Sequence, residues 1–115
     1  MLFKKTDLGD YEAVIDGVGF VCENADKNTE SRAQAIAAAY RERFGELTDF
    51  MLDEGIGEEY EGLTADRLKK ALGKPVIDLD ANTISYLDHK LDDDHIIEVE
   101  FDGELDEFLY LNIDG

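Results

Sequence analysis

The most regular pattern in this 115-residue chain is an apolar stripe at helical spacing. Ala33, Ile36, Ala37, Tyr40, Phe44, Leu47 and Met51 step by three or four residues, which places them along one face of an α-helix. The stripe keeps its phase through Gly45, so one helix is expected over about 30–54. Thr29 or Asn28 is a suitable start, Glu30 suits the positive end of the dipole, and Gly55 and Gly57 are suitable stops. A second helix is expected over 64–72. Thr64 is its cap, "ADRLKKAL" fills two turns, and Gly73 with Pro75 ends it. Its Leu68 and Leu72, with Leu63 before it, face the core.

Elsewhere the period is two. "YEAVID" (11–16) sets Tyr11, Ala13 and Ile15 against Glu12, Val14 and Asp16. With "VGFVCE" (18–23) it predicts a small antiparallel meander at the N-terminus. Residues 24–28 are polar and predict a loop. After the second helix, "PVIDL" (75–79), "TISYLDH" (83–89), "HIIEVEF" (95–101) and "EFLYLNI" (107–113) predict four strands. Asp- and Asn-rich turns at 80–82, 92–94 and 102–104 separate them, so sequential antiparallel pairing is the simplest topology. The expected fold is a single α+β domain over 1–115: an antiparallel sheet, the N-terminal meander plus four C-terminal strands, packed against one long helix with a second short helix.

Charge adds what periodicity leaves out. The formal net charge is −18, from 29 acidic and 11 basic residues, while the hydrophobic content of 43% is that of a folded chain. Lys90 is the only Lys or Arg from Pro75 to the C-terminus, so the acidity belongs mainly to the last third. A surplus of this sign argues against direct contact with nucleic acid or anionic lipid. Apolar runs are too short to span a bilayer, and the first residues lack the apolar core of a signal peptide; no membrane association and a cytoplasmic location are expected. With Cys22 alone there is no intramolecular disulfide, and no cofactor is implied.

In 95–101, Ile97, Val99 and Phe101 point one way and Glu98 and Glu100 the other. Alternate residues on a strand lie about 6–7 Å apart, inside the screening length of about 8 Å at physiological salt. A solvated, solubilising face explains such a row, as does the acidity of a halophilic source, although that would coat the whole surface evenly. A docking surface for a basic protein partner explains it too, because carboxylates complement a cationic groove and speed encounter. On this reading the candidate contacts are Asp92, Asp93, Asp94, Glu98, Glu100, Glu104, Asp106 and Glu107. Tyr86, Phe101, Phe108 and Tyr110 are possible anchors, with core packing as their alternative fate.

Chemistry has few other footholds. Asp88, His89 and the 92–95 cluster, with Asp78 and Asp80, are the groups with metal-ligand character and define an alternative reading as a divalent-metal-binding domain. "DLDANTISYLDH" (78–89) begins like a calcium loop but has Thr83 at position six and His89 at position twelve, where Gly and Glu belong. An Asp-rich turn accounts for it. No nucleophile elbow or phosphate-cradling glycine loop is present, Cys22 sits in an apolar strand, and an enzyme is not expected.

The helix "SRAQAIAAAYRERFGELTDFML" and the segment "DDDHIIEVEFDGELDEF", where an Asp-His step enters a strand ending in a Gly turn, resemble a group of small acidic bacterial proteins of immunity type. The resemblance covers most of the chain in layout and implies a non-enzymatic protein that neutralises a basic toxin, such as a nuclease. It implies no particular contact residues.

Overall fold

A computed structural model describes residues 2–114. In chain order the elements are β1 (Lys4–Lys5), β2 (Tyr11–Ile15), β3 (Val18–Cys22), α1 (Lys27–Asp53), α2 (Ile56–Glu59), α3 (Ala65–Leu72), β4 (Val76–Asp78), β5 (Thr83–Tyr86), β6 (Ile96–Asp102) and β7 (Glu107–Asp114). All seven strands form one sheet in sequence order. Every neighbouring pair is antiparallel except β3 and β4, which run parallel with Phe20 opposite Ile77. That exception follows from the connection. Tight turns join antiparallel neighbours, whereas parallel strands need a long crossover, here the three helices. The N-terminal meander and the C-terminal strands therefore make one continuous α+β sheet.

The long helix begins at Lys27, three residues before the expected start. Asp26 caps it: its carboxylate accepts the Thr29 N–H at 2.9 Å, while the Thr29 hydroxyl accepts the Asp26 N–H at 3.2 Å. The Thr29 N–H, and then the Thr29 hydroxyl donating to the same carboxylate at 3.1 Å, lower the Asp26 carboxyl from its ordinary value. Past Gly45 the helix continues unbroken to Asp53. Gly55 then takes a left-handed φ of 97°, as expected of a stop, but one further turn, α2, forms across Gly57 and buries Ile56. The second expected helix is present as α3, with Thr64 accepting the Arg67 N–H.

All helical cover lies on one face of the sheet. Ala13, Val18, Phe20, Cys22, Ile77, Ile84, Tyr86, Ile97, Val99 and Phe101 are buried there, against Ala33, Ile36, Ala37, Leu47 and Met51 of α1 and Leu68 and Leu72 of α3. Full burial of each large side chain contributes about 1.5–3 kcal/mol. The Tyr40 and Tyr86 hydroxyls, 2.6 Å apart, satisfy one another within this layer. Burial pushes Tyr40 up to about 12 and raises Tyr86 well above its ordinary 10. Cys22 is also core, its thiol raised first by burial and then by Asp80, Asp78 and Asp10.

Two arginines of α1 reach the far end of the sheet. Arg32 donates to the Leu79 carbonyl at 3.0 Å, to Asn82 Oδ1 at 2.7 Å and to the Gly103 carbonyl at 3.5 Å. Arg43 donates to the Leu105 carbonyl, pairs with Glu46 at 2.7 Å and lies 4.8 Å from the Phe108 ring centroid. The turn they hold is strained. Gly103 and the buried Leu105 both have positive φ, and a Cβ on Gly103 would meet Asp106 Oδ2 at 2.0 Å.

Candidate functional site

With helices on one side only, the other face of the sheet is open, and it is divided by chemistry. Cross-strand register places Glu12, Val14, Gly19, Val21 and Val76 on the β2–β4 half, with Val14 exposed. Gly19 leaves a gap there, and an open depression of about 500 Å³ is lined by Leu2, Lys4, Glu12, Val14, Gly19, Val21 and Val76. Its charged groups are Lys4 and Glu12, which face each other across the β1–β2 register.

The β5–β7 half is acidic. Alternation along β6 puts Glu98, Glu100 and Asp102 on the open face, opposite Asn112, Tyr110 and Glu107 of β7. Asp114, two residues beyond Asn112, joins the row diagonally to Glu98, and Asp78 lies two strands away opposite Thr83. Glu98 is half-buried, and its carboxyl is raised above its ordinary 4.5. Burial is the first cause; the neighbouring carboxylates of Asp114 and Glu100 add to it, and the Ser85 hydroxyl 3.4 Å away only partly relieves it. Among the described residues no Lys or Arg pairs with any of these acids; the Lys/Arg ion pairs are Arg41–Asp16 and Arg43–Glu46.

Of the candidate contacts, Glu98, Glu100 and Glu107 therefore share one surface. Glu104 and Asp106 are exposed in the turn beyond Glu107. Asp92, Asp93 and Asp94 lie before the opposite end of β6, about 20 Å from that turn by strand rise. Asp93 and Asp94 are exposed, but Asp92 has an internal task. It accepts the Tyr60 hydroxyl at 2.8 Å, His95 Nδ1 at 2.6 Å, and the backbone N–H groups of Asp94 and His95 at 3.2 and 3.0 Å. Desolvation pushes its carboxyl up, yet these donors together prevail and bring it down to about 2. The hydrogen bond that His95 donates to Asp92, helped by the charges of Asp92, Glu59 and Asp94, raises His95 against its own desolvation.

Of the other groups with metal-ligand character, Asp88 is exposed, like Asp93 and Asp94, whereas His89, Asp78 and Asp80 are engaged internally. His89 is buried as the Nε2–H tautomer, donating to the His95 carbonyl at 2.7 Å and accepting the Leu91 N–H on Nδ1 at 3.1 Å. Asp78 accepts the N–H groups of Asp80 and Ala81, and Asp80 accepts that of Glu23. Among the described residues no group of three or more His, Cys, Asp or Glu side chains is arranged to hold a metal ion.

The aromatic anchors separate cleanly. Tyr86 and Phe101 are core, and Phe108 is half-buried with its ring centroid 5.8 Å from that of Phe50. Tyr110 is 61% exposed on the acidic face, opposite Glu100. Sequence reasoning missed Asp102 and Asp114 as members of the acidic row; period-two alternation from Glu98 and from Tyr110 was the available signal. Comparison with known proteins adds no relative: no family model, curated protein or solved structure matches this chain. Among the described residues no helix is long and apolar enough to cross a membrane.

Proposed function

We propose that this chain is a non-enzymatic acidic binding protein that docks a basic protein partner, acting as an immunity or inhibitor protein that neutralises a cationic toxin. The observation that carries the reading is the state of Glu98. It is a half-buried carboxylate in a like-charged row, with no Lys or Arg pairing to it among the described residues, beside an exposed Tyr110. An arrangement that costs free energy in the isolated chain is relieved by an incoming Lys or Arg, and opposite potentials also accelerate encounter. Glu100, Asp102 and Glu107 extend the same surface, Glu104 and Asp106 form its rim at the turn, and Asp93 and Asp94 add long-range attraction from the other end. Tyr110 supplies the apolar and cation–π component that hot spots favour.

The test is affinity capture from a lysate of the source organism at low salt, with the wild-type protein and an E98K/E100K/E107K variant that melts no lower than the wild type as baits. The expected result is a basic protein held by the wild type, eluted by salt and absent from the variant. With that partner purified, charge reversal slows association about tenfold or more at low ionic strength. Identical captures by both baits, or a captured partner without basic character, would defeat the proposal.

A further inference from the structure

The two edges of the sheet are built differently. At one end β1 is two residues long, both of them exposed lysines, a short cationic edge of the kind that deters strand addition. At the other, β7 runs for eight residues without Lys, Arg or Pro, and among the described residues β6 is its only strand neighbour. A bulge at Glu100/Phe101 leaves Leu109 without a cross-strand partner. Beyond it, Tyr110–Asp114 pairs continuously with Ile96–Glu100, so its outer side presents alternate backbone N–H and C=O groups with no strand to receive them. Leu109 and Tyr110 are both exposed on this margin.

We propose that Tyr110–Asp114 is the docking edge for the basic partner, which adds an extended segment as an eighth strand. This rests on the function proposed above and specifies its mode. The side chains of β7 set the pattern required of the occupant. On the open face Tyr110, Asn112 and Asp114 would flank it, with Glu98 and Glu100 about 10 Å away, two strand spacings and within reach of a Lys or Arg side chain. On the helix face Leu111 and Ile113 are half-buried and would flank apolar residues. The occupant is thus a strand alternating basic and apolar residues, held by main-chain hydrogen bonds, with its cations laid over the acidic row. A second copy of this chain fits poorly. Antiparallel pairing of Tyr110–Asp114 with itself about Asn112 would set each Asp114 opposite a Tyr110 and bring two acidic faces side by side between molecules of net charge −18.

The experiment uses the intact protein and a nine-residue peptide alternating Arg and Val, with two companions. One is the same peptide N-methylated at alternate residues, which keeps the charge and removes one edge of donors; the other is poly-lysine. The expected result is salt-sensitive binding of the plain peptide, slowed amide exchange in Tyr110–Asp114, and affinity weaker by about tenfold or more on N-methylation, the worth of two backbone hydrogen bonds. Equal binding of plain and methylated peptides, without protection of β7, would overturn the edge mode and leave the basic-partner reading standing. No binding of any of the three polycations at low salt would overturn both. A concentration-dependent dimer that protects β7 would replace the proposed occupant with a second copy.

Discussion

Replacing Glu98 with Gln should stabilise this protein at neutral pH, and the structure says by how much and under which conditions. The substitution keeps the shape of the side chain and an oxygen for the Ser85 hydroxyl, and removes one charge from a half-buried site. Glu100 lies two residues along the strand, about 6–7 Å away, and Asp114 is a second anionic neighbour. Each like-charge pair at that distance costs about 0.6 kcal/mol in bulk water and about four times that at the effective dielectric of a protein surface. With salt screening, relief of two such pairs comes to about 1–2 kcal/mol, or a rise in Tm of about 5 °C for a domain of this size. The pH dependence has a definite sign. Because the folded-state pKa of Glu98 lies above 4.5, the native chain holds the proton more tightly than the unfolded chain. Stability therefore falls as pH rises through the window between the two values, and the full penalty applies at pH 7. Below the ordinary carboxylate range both states are protonated and the penalty vanishes. Thermal melts of wild type and E98Q at pH 7 in low salt, at pH 7 in 1 M NaCl and at pH 3 should show a gain in the first, a smaller gain in the second and none in the third. An unchanged or lower Tm for E98Q at pH 7 in low salt would refute the claim that this carboxylate is held at a cost. So would a gain of equal size at pH 3. The same variant should bind a basic partner less well, so stability and association move in opposite directions.

Two further outcomes follow from groups behind the sheet and beside it. Tyr40→Phe strands the fully buried Tyr86 hydroxyl without a partner and should cost about 1–3 kcal/mol. The Tyr40→Phe/Tyr86→Phe double variant should cost less than the sum of the two single changes; strict additivity in urea unfolding would show that the phenols are not coupled. In the 87–95 loop, His95 should titrate above its ordinary 6.5 by proton NMR and move back toward it in Asp92→Asn. The His95 contribution to folding is fully present below 6.5 and lost as pH rises through the raised value, while that of Asp92 is present above 3.8 and lost as pH falls toward about 2. A His95 midpoint indifferent to Asp92→Asn would contradict the geometry.

What the chain reveals before folding depends on how local each determinant is. The stripe from Ala33 to Met51 and the alternation of β6 are periodic within one element, so the long helix, the burial of Ile97, Val99 and Phe101, and the exclusion of Glu98 and Glu100 from the core were all legible. Asp26 caps α1 from inside a polar stretch that resembles a loop, so the helix starts three residues before the apolar stripe predicts. The turn α2 was missed because two nearby glycines signal a stop, and the burial of Ile56 outweighs that signal. β1 has no alternation to detect, and the parallel contact of β3 with β4 joins residues more than fifty positions apart. The site divides along the same line. Glu98, Glu100 and Glu107 were identifiable from their own strands, whereas the engagement of Asp92 depends on Tyr60, thirty-two residues earlier, and the crowding of Glu98 on Asp114 depends on the register of β7.

The open acidic face could have been neutralised from within, and the way in which it was not bears on what it is for. The two guanidinium groups that reach the far end of the sheet, Arg32 and Arg43, come from the helix side and meet backbone carbonyls of Leu79, Gly103 and Leu105, with Glu46 as the only carboxylate among their partners in the described residues. They shape the turn that carries Glu104 and Asp106 without discharging it. Solubility alone needs only exposed, hydrated charge, which Asp93, Asp94 and the outer residues of the helices already provide. It gives no reason for a carboxylate set between strands where water is partly excluded and two other anions stand close. The recognition proposed above would, because the like-charge repulsion that raises the free energy of the isolated protein is the term an arriving cation lowers, and the binding equilibrium would gain by the difference.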